Sequence, residues 1–305
     1  MNDDVLKISK MLQSASFDED ALNEIAGHYL DNLPVVHIGL QEGCKILRSS
    51  INNERNLFDN VQRLSYPPAD KARTDRASLK GKPMFYASIF TSSAMEANAY
   101  PRLVSAMETT DILRCFDDEG LVFITQSLWK PRRNLHLIAF PFSKVLTKPC
   151  KEIQSFIKRW DEEISNAFSE SSVEFAEFIG NEMSRKNYSC LYEVTAHLVN
   201  SFLYKSKESS FIDGIAYPSV WCDGQGMNIC LKKEVVDECI DFVIAKVERI
   251  EKIKGEAIML PIANSLLMPN EKLKWILTPI GLKMLGDEYG AENLISNGIL
   301  KIIEL

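Results

Sequence analysis

Several familiar signatures are missing from this 305-residue sequence, and each absence removes a class of function. There is no GxxxxGK[ST] loop, no GxGxxG turn after a strand, no HExxH helix and no GxSxG elbow. That excludes the usual P-loop, Rossmann, zincin and α/β-hydrolase sites. Only four histidines occur, His28 and His197 in helical patterns and His37 and His136 in strand patterns, with no tight Cys/His spacing, so no metal site is expected. The seven cysteines, Cys44, Cys115, Cys150, Cys190, Cys222, Cys230 and Cys239, are odd in number and never form a CxxC pair. A reducing, cytoplasmic setting is therefore expected, and the sequon at Asn187-Tyr188-Ser189 is expected to carry no glycan. The opening MNDDVLKISKMLQSASFDED has neither a basic n-region nor an apolar h-region, so no secretory signal is expected. No apolar run reaches bilayer length, which argues against membrane insertion. A net charge of −7 and a pI near 5.3 argue against broad nucleic-acid binding, which needs clustered Lys and Arg.

What remains is a globular composition, 46% hydrophobic and 25% charged. Residues 18–30 open with acids and continue with Ala21, Leu22, Ile25, Ala26 and Tyr29 at helical spacing. LPVVHIGL (33–40) and CKILRSS (44–50) read as two strands around a Glu42-Gly43 turn, the second carrying Arg48 near its end. The stretch 64–84, rich in proline and basic residues, reads as a long positive loop running into the strand MFYAS. TSSAMEANAYPRL reads as a helix with Ser93 and Glu96 at capping-box spacing, ended by Pro101. Strands are expected at GLVFITQ and NLHLIAFPF, amphipathic helices over about 150–205, and strands again at SFIDGIAYPSV and MNICLK. Beyond residue 235, CIDFVIAKVERI and KWILTPI suggest further strands to which no chemistry attaches.

An order of segments stands out: ILR at 46–48, RASLKGKPMFYAS at 76–88, AMEA at 94–97, DGIAYPS at 213–219 and GMNICL at 226–231. This order resembles the RES domain, named for arginine, glutamate and serine, over roughly residues 44–233. In that family a first Arg follows an early strand, and a second precedes a Gly-containing loop and a Tyr-bearing strand. A Glu lies on the next helix and a Ser follows a DGI-like strand. The matching positions are Arg48, Arg76, Tyr86, Glu96 and Ser219. The chain departs from the family in reading Arg76-Ala77-Ser78 where an Asn is common, and in its helical stretch over 150–205.

The resemblance implies an α+β fold with a small mixed β core similar to ADP-ribosyltransferases and added N-terminal and inserted helices. On this reading residues 1–43 form an N-terminal helical extension and first strand. Residues 44–235 form the NAD-binding catalytic domain, and 236–305 a C-terminal β-rich extension packed on it. The implied activity is cleavage of the nicotinamide–ribose bond of NAD by hydrolysis or phosphorolysis, with NAD as substrate and no further cofactor. Arg48 and Arg76 would hold the pyrophosphate with planar, permanently charged guanidinium groups. Glu96 would stabilise the oxocarbenium-like state, Tyr86 would stack and orient, and Ser219 would hydrogen-bond ribose or phosphate oxygens. Arg48, Glu96 and Ser219 are thus the expected catalytic set, and Arg48, Arg76, Tyr86 and Ser219 the NAD-binding set.

A neutralising, antitoxin-like protein partner fits a toxin role, and the sequence leaves a homodimer open. Two other functions stay open: transfer of ADP-ribose to a macromolecule, and a catalytically silent nucleotide-binding module. Taken singly, each residue also has a plainer role. Arg48 and Arg76 could be surface charges, Glu96 could close the capping box with Ser93, Tyr86 could be core, and Ser219 could shape a turn.

Overall fold

The computed structural model describes residues 2–14, 17–52, 57–90, 101–142, 146, 149–186 and 192–289. Its centre is one sheet built from β1 (Val36–Leu40), β2 (Ile46–Ile51), β3 (Met84–Ile89), β4 (Gly120–Pro131), β5 (Leu135–Ala139), β6 (Gly214–Pro218), β7 (Met227–Lys232), β8 (Ile240–Ile253), β9 (Glu256–Leu267) and β10 (Leu273–Leu277). The spatial order is β1-β5-β6-β7-β3-β2-β4-β8-β9-β10. All neighbours run antiparallel except the parallel pair β5–β6. The fold is α+β, as expected. The C-terminal strands continue the same sheet, with β8 lying along the whole of β4 from Gly120↔Lys252 to Pro131↔Ile240.

The helices are α1 (Asp3–Ser14), α2 (Glu19–Tyr29), α3 (Pro101–Thr109), α4 (Lys151–Arg159), α5 (Glu170–Met183), α6 (Tyr192–Lys205), α7 (Lys233–Cys239) and α8 (Pro279–Tyr289). Helix α2 starts where the acids predicted, the Asp18 carboxylate accepting the Ala21 N–H at 3.1 Å, and it buries Leu22, Ile25, Ala26 and Tyr29. Helix α1 inserts Val5 and Ile8 into the same core. Three helices occupy the 150–205 stretch, as its periodicity predicts. Among the described residues no helix is long and apolar enough to cross a membrane.

One expectation is corrected. Helical structure runs on from Pro101 to Thr109 as α3 instead of ending at Pro101. The part of that expected helix at 91–100 lies outside the described residues, and Glu96 with it. Strand β9, in the stretch expected to be β-rich, carries Pro261, a residue that ordinarily disrupts a ladder. It is tolerated at a bulge: Val247 faces Ala263 and Glu248 faces Pro261, which leaves Ile262 as the extra residue.

The sheet has a notch near its middle. Strands β2 and β3 pair only at Ile46↔Ile89 and Leu47↔Ser88. Beyond these two positions β2 follows β4 through four more pairs, Arg48 to Ile51, while β3 follows β7 through four, Met84 to Ala87. Backbone groups facing the gap need side-chain partners, and the side chain that enters it is Arg48.

Candidate functional site

A cavity of about 560 Å³ opens at this notch, within the range of ~300–1,000 Å³ that suits small-molecule ligands. Strand β2 contributes Arg48 and Ser49, β3 Tyr86 and Ser88, and α3 Ser105, Glu108 and Thr109. The 67–78 loop forms one wall, and Arg114, Tyr192, Tyr217, Trp221 and Asn228 complete the enclosure.

Arg48 donates from Nη1 to the Tyr86 carbonyl at 2.7 Å, and its guanidinium lies over the Phe85 ring, 5.5 Å from the centroid. Its Nε is buried without a hydrogen-bond partner. Burial lowers its pKa from the usual arginine value, although a guanidinium stays charged at any physiological pH. A buried cation with unspent donor capacity is costly unless something anionic or carbonyl-rich completes its shell. Arg48 therefore brings a buried cation with unspent donor capacity to the cavity.

Arg76 also lines the cavity, but its guanidinium is engaged by the protein. Nη1 donates to the carbonyls of Met183 and Arg185, and the group stacks on Tyr192 at 5.1 Å from the ring centroid. These contacts tie the 67–78 loop to the C-terminal end of α5, where free carbonyls favour a cation. Tyr86 works on the same loop. Its hydroxyl accepts the Ala77 N–H at 3.0 Å and donates to Ser78 Oγ at 3.2 Å, and burial raises its pKa well above the usual tyrosine value. Arg48, Arg76 and Tyr86 thus meet in one cavity, with Arg76 and Tyr86 shaping its wall.

Ser219 is fully buried at the end of β6, and it identifies a residue that sequence reasoning missed. Its hydroxyl donates to Glu108 Oε1 at 2.6 Å. The same oxygen receives Asn228 Nδ2 at 3.0 Å, and the Asn228 amide oxygen accepts from Ser88 Oγ at 2.7 Å. Three strands and a helix therefore converge on one carboxylate at the cavity wall. The Ser219 loop is closed by its own backbone, Ser219 N–H donating to the Gly226 carbonyl and Gly224 N–H to the Ser219 carbonyl, each at 2.8 Å. Gly224 has φ +78, a value open to glycine and strained for other residues.

Glu108 stands at the end of α3 beside Arg114, whose Nη2 donates to the Glu108 carbonyl at 2.5 Å and whose guanidinium lies 4.7 Å from the Trp221 ring centroid. Nothing local in SAMETTD marks Glu108. The only available signal was its place on a helix after the Tyr-bearing strand, a description Glu96 shares. Asp213 does not line the cavity: both its oxygens take Arg133 at 2.8 Å, and Oδ2 also takes the His136 N–H. Among the described residues no three His, Cys, Asp or Glu side chains gather as metal ligands do.

The cavity thus combines a buried guanidinium, hydroxyl groups, aromatic faces and one oriented carboxylate. Such a set can hold an anionic ligand and stabilise developing positive charge beside it. Compared with known proteins, the chain matches no family model and no curated protein.

Proposed function

We propose that the cavity binds NAD and that the protein cleaves the nicotinamide–ribose bond by hydrolysis or phosphorolysis, as its resemblance to the RES domain implies. The observation that carries this reading is the Glu108 carboxylate, aimed by Ser219 at 2.6 Å and Asn228 at 3.0 Å on the wall of the cavity that Arg48 enters. Glu108 then takes the role first given to Glu96. Ser219 acts by orienting the carboxylate.

Departure of nicotinamide leaves positive charge on the ribose. A fixed carboxylate stabilises that charge more in the transition state than in the ground state, and this difference is what lowers the barrier. Arg48 offers the pyrophosphate a charge-assisted contact, while Trp221 and Tyr217 present aromatic surface to the rings of the dinucleotide. A toxin role with a neutralising protein partner follows from the same resemblance and remains part of the proposal.

The test is nicotinamide release from NAD by purified protein, with and without inorganic phosphate. Wild-type protein is expected to release it, and Glu108→Gln to slow release by about 100-fold or more with NAD still bound. Phosphate dependence would name the acceptor. NAD bound by wild-type protein and recovered intact would overturn the enzymatic reading in favour of a binding module.

A further inference from the structure

Helix α3 carries Glu108, and at nine residues it is too short to hold its position by helix propensity alone. It packs on β2 and β3, and side chains from β8, in the C-terminal stretch to which no chemistry attached, reach it and the segment that follows. Alternate residues of a strand share a face, and three such residues of β8 meet three successive points of the segment 101–115.

Glu248, with none of its surface exposed, accepts from Arg102 Nη2 at 2.6 Å through Oε1, while its Oε2 is buried without a partner. Ile250 packs with Ala106 and Ile124 in a small core of their own. Lys252, also buried, donates from Nζ to the carbonyls of Ile112 and Cys115. Glu108 and Arg114 lie between these points, and both line the cavity.

Beside this apolar contact, others beneath α3 are polar where apolar ones would have buried the helix equally well. Gln126 Nε2 donates to the Arg102 carbonyl at 2.8 Å and to Ser49 Oγ at 3.0 Å, and Ser49 Oγ meets Ser105 Oγ at 2.7 Å. A buried carboxylate facing a half-exposed arginine contributes little net stability after desolvation. Burial raises the Glu248 carboxyl pKa, a cost of the same origin. What directional contacts supply, and apolar ones do not, is the rotation and axial register of the helix. Glu108 needs both to stay within reach of Ser219 and Asn228.

We propose that Glu248, acting through Arg102, is a positioning residue for Glu108, and that β8 thereby helps to set the geometry of the reacting carboxylate. The inference rests on the NAD-cleaving reading of the cavity. A displacement of about 1 Å at a reacting group can cost on the order of 100-fold in rate, so loss of the strut should appear in kcat.

The experiment measures kcat and KM for nicotinamide release by the full chain carrying Glu248→Ala, Glu248→Gln, Glu108→Gln, or Glu108→Gln with Glu248→Ala. Glu248→Ala is expected to lower kcat by about tenfold or more with KM nearly unchanged. Glu248→Gln, which keeps an oxygen for Arg102, should recover most of that loss. In the Glu108→Gln background the alanine change should cost nothing further, because its effect passes through the missing carboxylate. If Glu248→Ala does not fold, Arg102→Met, altered at a half-exposed site, is carried through the same cycle. Independent, multiplying losses, a loss confined to KM, or wild-type kcat in the variants would overturn the positioning role alone. No release by wild-type protein would instead overturn the NAD reading, and this inference with it.

Discussion

At the scale of single residues, the duty of Arg48 in the cavity is separable from that of Glu108. Arg48 keeps one donor on the Tyr86 carbonyl and has a buried Nε without a partner. Arg48→Ala is expected to raise the Kd for NAD by about 10- to 100-fold, the range for losing hydrogen bonds to a charged group, as read by calorimetry. Arg48→Lys should restore little of this, since an ammonium lacks the planar fork. Unchanged affinity in both variants would remove Arg48 from the binding site.

A second residue-scale prediction concerns pH. His37 Nδ1 and His136 Nε2 lie 2.9 Å apart across β1 and β5, a contact that requires one of the two atoms to be unprotonated. Desolvation is the main cause lowering the His37 pKa, with His136 and Arg159 adding to it and Glu208 opposing. A base whose folded pKa is depressed binds fewer protons folded than unfolded, so its contribution is present above about pH 6.5 and is lost as pH falls below it. The Tm should therefore decline from pH 7.5 to pH 5.5 less steeply in His37→Gln than in wild type. Parallel declines would show that the pair does not govern acid stability.

At the scale of elements, close approach decides where α5 can lie. A Cβ on Gly180 would stand 1.7 Å from the Pro141 carbonyl oxygen, so the helix rests directly on the chain leaving β5. Gly180→Ala forces the two apart, and a loss of about 1–3 kcal/mol is expected in urea unfolding. Because Arg76 hangs from the Met183 carbonyl at the end of this helix, the same variant should also weaken NAD binding. Wild-type stability and affinity together would show that α5 can shift without disturbing the cavity. The strands and the 150–205 helices were legible because periodicity is a local property. Pro101 misled the reading because a proline alone does not fix where a helix stops.

At the scale of the whole molecule, the C-terminal strands complete the sheet. Strand β8 covers the edge of β4, and β10 brings Leu273, Trp275 and Leu277 into the main core. Trp275 Nε1 also donates to the Phe58 carbonyl at 2.8 Å, tying the last strand back to the segment before the cavity loop. A chain ending at Cys239 would expose a long strand edge and lose this apolar cover, so it should aggregate and show no cooperative melt. A cooperative transition matching that of the full chain would mean that residues 240–289 are dispensable for folding.

By itself the sequence determined the α+β class, most of the elements, and three residues that share the cavity: Arg48, Arg76 and Tyr86. It also singled out Ser219, which the structure places against Glu108. The class and the elements were carried by local patterning, which neighbouring residues suffice to encode, and the site residues by the order of short segments that resembles the RES domain. The tertiary structure alone brought Glu108 to the cavity wall, because it meets Ser219 across 111 positions and Asn228 across 120. It alone made the notch where β2 leaves β3, turned Arg76 and Tyr86 into wall supports, and set Glu248 beneath the helix that bears Glu108. Each of these depends on which strands become neighbours, and that follows from the burial of the whole chain, which no local spacing records.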